Sequence, residues 1–114
     1  MLEIVQTNEN NYISIAVTGD ADASSSIKLD KGLRSAFDES HSNIIIDCTN
    51  LNYISSAGLG VFMSYIEEIN QTNTTFIIYG LSEKVLKVFG LLGLDQLLIL
   101  KNTKEEALAE INGL

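Results

Sequence analysis

Ile44-Ile45-Ile46 runs into Asp47-Cys-Thr-Asn-Leu-Asn-Tyr-Ile-Ser55-Ser56-Ala57-Gly58-Leu59-Gly60. The isoleucine run is short, β-branched and continuously apolar, which is the pattern of a strand buried on both faces. Past it, Leu59, Phe62, Met63, Ile66 and Ile69 recur at helical spacing, with Glu67 and Glu68 toward water, so a helix is expected from Leu59 to about Ile69. Ser55 and Ser56 stand where the chain turns from extended to helical. A helix start leaves backbone N–H groups unpaired and carries partial positive charge. A serine hydroxyl there caps the helix, and an added phosphate is locally well received.

Upstream, Leu2–Gln6 is a short extended segment and Asn8–Asn11 a turn cluster. In Tyr12–Thr18, Ile13, Ile15 and Val17 alternate with Tyr12, Ser14, Ala16 and Thr18, the period of a strand. The two runs predict a hairpin. Gly19-Asp20-Ala21-Asp22-Ala23 is expected to break the second strand. Each of Ser24, Ser25 and Ser26 is a candidate cap for a helix over about Ile27–Ser40, with Leu29, Leu33, Ala36 and Phe37 on one face. His41 falls in a polar loop, and Ser42-Asn43 punctuates the chain before the isoleucine run.

Downstream, Asn70–Thr75 is a polar connection and Phe76–Tyr79 a second continuously apolar strand. Gly80 ends that strand, and Ser82 can cap a helix carrying Val85, Val88, Phe89 and Leu92 on one face. Gly90 and Gly93 are candidate stops. Leu97–Leu100 is a last short strand. Thr103-Lys-Glu-Glu106 is a capping box before a helix docked by Ala107, Leu108 and Ile111. The order is β-β-α-β-α-β-α-β-α. Alternating strands and helices imply parallel pairing through right-handed crossovers. The expectation is one α/β domain over residues 1–114, with a mixed, mostly parallel sheet of about five strands and about four helices.

Composition narrows the chemistry. The 114 residues are 46% hydrophobic and 19% charged, a globular balance. No apolar run approaches the roughly 18 residues that span a bilayer. The N-terminus has no basic segment ahead of an apolar one, so a cytoplasmic location is expected. A net charge of −8 opposes direct binding to nucleic acid and favours a partner with a basic face. Cys48 is the only cysteine and reads as a core residue. With His41 as the only histidine, neither a zinc site nor a Cys/His pair is indicated. There is no phosphate-binding loop and no nucleophile elbow; Gly58-Leu59-Gly60 is only a fragment of a glycine-rich loop. Asp20, Asp22 and Asp47 are candidates to gather at one end of the sheet, where they would hold a hard cation if they converged. Solvation or capping is the commoner role, so no metal, no cofactor and no catalytic residue is expected. A binding module is favoured over an enzyme.

At the focal stretch the chain resembles the STAS domains, the anti-sigma factor antagonist family. Asp47-x-x-x-Leu51-x-x-Ile54-Ser55-Ser56-Ala57-Gly58-Leu59 resembles the family's strand, loop and phosphorylation site. Gly19–Ala23 resembles its Gly-Glu-Leu-Asp-Ala loop, and Val85-x-x-Val88-x-x-x-x-Leu92-x-Gly-Leu94 with Thr103–Ala107 its C-terminal half. The resemblance covers nearly the whole chain. It implies a protein that binds an anti-sigma factor serine kinase of the histidine-kinase ATPase type. Phosphorylation by that kinase would release the antagonist, and a metal-dependent serine phosphatase would reset it. Carried across by position, the acceptor is Ser56, with Ser55 as the alternative. The implied docking face comprises Asp20, Asp22, Asp47, Ser55, Ser56, Ala57, Gly58 and Leu59. Ser55 replaces an aspartate common in the family, and Ala21 replaces a common leucine. Read without the family, Ser56 is an N-cap worth about 1 kcal/mol. Competing readings are a nucleotide- or small-molecule-binding STAS module, and a STAS subunit of a stress-sensing or lipid-transport assembly.

Overall fold

The computed structural model describes residues 1–39 and 43–113. Strand β1 (Leu2–Asn8) pairs antiparallel with β2 (Ile13–Ala21). Strands β3 (Asn43–Ile54), β4 (Thr75–Tyr79) and β5 (Ile99–Lys101) follow in parallel, in spatial order β1-β2-β3-β4-β5. Each parallel step moves in the same direction across the sheet. Right-handed crossovers therefore put all the connecting helices on one face. These are α1 (Ser26–Glu39), α2 (Ser56–Ser64), α3 (Ile66–Thr72) and α4 (Glu83–Leu91), followed by a 3-10 turn at Leu94–Gln96. The last helix, α5 (Lys104–Asn112), packs on the other face against Ile45, Ile77 and Tyr79. The expected α/β class and element order hold, save that one expected helix is split in two. His41 and the proposed helix end and punctuation at Ser40 and Ser42 lie outside the described residues.

Three expectations are corrected. The Gly19–Ala23 segment does not end β2, which runs on through Ala21. Gly19 adopts φ +103, and a Cβ there would stand 2.1 Å from the Met1 carbonyl oxygen, so the backbones pass at a distance only glycine permits. Strand β3 is likewise far longer than the isoleucine run. Its inward residues are Ile44, Ile46, Cys48, Leu51 and Ile54. The last intervals are three residues, which would turn alternate side chains outward in a regular strand. Register shifts opposite Ala16–Thr18 and Gly19–Asp20 absorb the extra residues as bulges and restore the inward face.

The third correction concerns the helix expected over Leu59–Ile69, which is two helices broken at Tyr65. Tyr65 is buried, whereas Met63 is 48% exposed. The Tyr65 ring stacks on Phe37 with centroids 4.9 Å apart, and its hydroxyl donates to the Asp30 carboxylate at 2.7 Å. Arg34 lies 5.1 Å from the centroid of the same ring and pairs with Glu68 of α3. The ion pair is partly exposed and contributes little alone. The buried ring and its hydrogen bond hold α1 to the α2–α3 break.

Burial, with Asp30 beside it, pushes the Tyr65 hydroxyl from 10.0 up to about 12. The folded state thus holds this proton more tightly than the unfolded chain does. That contribution to stability is complete below about pH 10 and is lost as pH rises through about 12. Urea unfolding is expected to show stability falling across this window. Tyr65→Phe should flatten the fall and should cost about 1 kcal/mol at neutral pH, from the lost hydrogen bond. An unchanged alkaline profile in the variant would contradict this assignment.

Candidate functional site

Strand β4 pairs with β3 only over Asn43–Asp47, while β2 accompanies β3 as far as Ala21 and Ile54. The ends of β2 and β3 therefore project as a two-stranded tip. At that tip the Ser55 amide donates to the Ala21 carbonyl at 2.8 Å. Ser55 keeps extended dihedrals, φ −86 and ψ 172, and its hydroxyl accepts from the Gly58 amide at 3.1 Å. Ser55 is thus the N-cap of α2. This corrects the reading of Ser56 as the cap, and the reason is geometric: the extended residue comes one position earlier.

Ser56 is the first helical residue. Its side chain is exposed, and neither its hydroxyl nor its amide, nor the Ala57 amide, has a hydrogen bond among the described residues. Gly58 is buried beneath it. A Cβ on Gly58 would lie 2.8 Å from Ile54 Cγ1 and 3.2 Å from the Ala21 carbonyl oxygen. A side chain there would push the helix start off the strand tip. Leu59 is also buried, 5% exposed, so Gly58 and Leu59 anchor the turn while Ser56 and Ala57 face outward.

The β2 end supplies the second rim. The Asp22 carboxylate accepts from the Ser25 amide at 2.9 Å and from the Ser24 hydroxyl at 2.8 Å. Hydrogen bonds from Ser24 and Ser25 hold its carboxyl below the ordinary carboxylate range. The Ser25 hydroxyl accepts from the Asp22 amide at 2.9 Å and lies 3.0 Å from the Asp20 carbonyl oxygen. Asp22 and Ser25 therefore organise the turn before α1. Ser26, itself the first residue of α1, donates to the Ala23 carbonyl instead of capping.

Asp47 does not join this cluster. It lies in register with Ala16 and Tyr79, and its carboxylate accepts from the Thr49 amide at 3.0 Å and the Thr49 hydroxyl at 2.7 Å. The strand between it and Ser55, at about 3.3 Å per residue, places it up to roughly 26 Å away. Burial, with Asp47 alongside, raises the pKa of the Tyr79 hydroxyl. The three aspartates thus do not converge, and no group of three metal-ligating His, Cys, Asp or Glu side chains occurs among the described residues. Cys48 is fully buried, and that burial raises its thiol pKa.

Beside Ser56 the structure opens a shallow groove between α1 and α2, about 320 Å3 in volume. Its walls include Ile27 and Asp30 from α1 and Ala57, Gly60 and Val61 from α2. Ile27 is 65% exposed. The sequence did carry a signal for this groove. Ile27 sits two residues before Leu29, off the Leu29/Leu33/Ala36 face, so it has no place in the core.

The STAS domain model matches residues 3–107. The anti-sigma-B factor antagonist of Listeria monocytogenes is 28% identical over 102 residues, covering 90% of each chain. Two solved structures share the fold at low identity. An anti-sigma factor antagonist from Mycobacterium paratuberculosis superposes with a TM-score of 0.89 at 18% identity, over 98% of this chain and 95% of that one. The Bacillus cell fate determinant SpoIIAA in its phosphorylated form gives 0.71 at 20% identity, over 97% and 99%.

The different placements of the two serines make them separable by unfolding. Ser55→Ala is expected to cost about 1 kcal/mol, the loss of an N-cap. Ser56→Ala should stay within about 0.5 kcal/mol of the unaltered chain, as an exposed position does. Urea midpoints measured side by side decide this, and the reverse order would contradict the cap assignment.

Proposed function

The chain belongs to the STAS domain family, and from that premise we propose that it is an anti-sigma factor antagonist working by partner switching. It is a binding protein rather than an enzyme. Its β2–β3 tip and the start of α2 engage an anti-sigma factor serine kinase of the histidine-kinase ATPase type. The kinase transfers the γ-phosphoryl group of ATP to Ser56 Oγ. The new phosphorus–oxygen bond forms as the bond to ADP breaks, and the hydroxyl proton leaves to a base on the kinase. A metal-dependent serine phosphatase reverses the modification by hydrolysis. The proposed setting is the cytoplasm, where sigma factors act. No helix among the described residues is long and apolar enough to cross a membrane.

One observation carries the choice of acceptor. Of two adjacent serines, Ser55 has its hydroxyl engaged by the Gly58 amide, whereas Ser56 is exposed and free of hydrogen bonds among the described residues. The names of the relatives supply the partner class.

Magnitudes favour a switch in binding over a switch in folding. A phosphoserine adds about −1.5 to −2 charges at neutral pH. At the first turn of α2 that charge meets a favourable field of roughly 0.3–1 kcal/mol, so the fold tolerates it. In a contact surface the same dianion must be desolvated, with Asp20 and Asp22 of the strand tip adding repulsion. An unpaired buried charge costs several kcal/mol, and each 1.4 kcal/mol is about tenfold in affinity. The interface term is the larger.

Incubating the chain with the anti-sigma factor kinase of the same organism and ATP, followed by peptide mass spectrometry, should place the phosphate on Ser56. Ser56→Ala should abolish incorporation. Modification confined to Ser55, Ser82 or Ser24–Ser26 would overturn the site.

A further inference from the structure

Glycine is the least favourable residue after proline in a helix interior. Where it stands there, the packing usually needs the missing side chain. Two of the helical glycines meet that description within this chain: a Cβ on Gly32 would lie 2.8 Å from Ile4 Cγ2, and one on Gly58 at the same distance from Ile54 Cγ1. Gly60 does not. It is the fifth of nine residues in α2, it is exposed, and a Cβ built on it meets nothing within 4 Å. Among the described residues, nothing packs where a side chain at this position would stand.

Gly60 lines the α1–α2 groove one turn beyond Ser56, together with Ala57, Val61 and the exposed Ile27. A side chain at 60 would fill the groove floor. We infer that Gly60 is a close-approach point for the partner, at which an apolar segment of the kinase, flanked by Lys or Arg, seats in the groove against the α2 backbone. The inference rests on the reading given under Proposed function and adds to it a specificity-determining residue and the chemistry of the contacting segment.

Charge selects the flanking residues. Among the described residues Asp30 is the only charged side chain lining the groove, and Asp20 and Asp22 flank Ala21, whose carbonyl holds Ser55 at the adjoining end. Lys28 and Lys31 of α1 do not line it. The whole chain carries −8. An acidic partner segment would be repelled, and a basic-flanked apolar one is drawn in. The shallow groove, with the exposed Ile27 on its wall, is open enough to take an inserted apolar side chain.

The inference is tested by pairing urea unfolding with calorimetric titration against the anti-sigma factor kinase in the presence of ADP, for the unaltered chain, Gly60→Ala, Gly60→Leu and Ile27→Ser. Gly60→Ala should raise the urea midpoint and weaken binding about tenfold. Gly60→Leu should keep the midpoint at or above that of the unaltered chain and weaken binding at least a hundredfold. Ile27→Ser should weaken binding without moving the midpoint, and raising the salt should weaken binding by the unaltered chain. Equal affinity of Gly60→Leu and the unaltered chain would overturn this inference while leaving the antagonist reading intact. So would a lowered midpoint in Gly60→Ala, since that would expose a structural need for the glycine. No binding by the unaltered chain would overturn both.

Discussion

The Ser55 amide and the Ala21 carbonyl meet at 2.8 Å, and this contact closes the tip of β2 onto the start of α2. Around it the other features of the site fall into place. Gly58 must lack a side chain because Ile54 and Ala21 already occupy the space. Ser55 must stay extended to reach Ala21, so its hydroxyl becomes the cap and Ser56 is turned outward as the first helical residue. The same closure holds Ser55 against Ala21, the residue that leads into the Asp22–Ser25 turn. Beneath the tip, Tyr65 ties α1 to the break between α2 and α3 and so sets the two walls of the groove.

Much of the fold was legible because its signals are local. The alternation Ile13/Ile15/Val17, the isoleucine run and the Thr103–Glu106 cap each specify an element without help from distant residues. The capping box forms with a small difference: Glu106 reaches back to the Asn102 amide, while Thr103 accepts from Glu106. What escaped the sequence depends on tertiary context. The three-residue intervals at Cys48, Leu51 and Ile54 look irregular until bulges opposite β2 absorb them. Met63 and Tyr65 compete for one inward direction, and the choice turns on Phe37 and Asp30, both in another helix.

The site was legible in the same proportion. A strand-to-helix junction with two serines is a local pattern, so its position was readable. The division of labour between Ser55 and Ser56 was not, since it depends on which residue reaches Ala21. Asp47 shares the motif with the serines but points its carboxylate at Thr49, because β3 continues for seven more residues before turning. The groove was missed for a different reason. It lies between helices separated by a strand, and only Ile27, misplaced for the core, hinted at it.

The central claim is that a phosphate at Ser56 acts on the interface and leaves the fold standing. It is tested most directly by preparing the chain stoichiometrically phosphorylated at Ser56 and measuring, on the same sample, its urea midpoint and its affinity for the anti-sigma factor kinase. The account predicts a stability within about 1 kcal/mol of the unmodified chain and an affinity lower by at least about a hundredfold, which corresponds to roughly 2.8 kcal/mol at the interface. Retained affinity, or a loss of affinity accompanied by collapse of the urea transition, would contradict it.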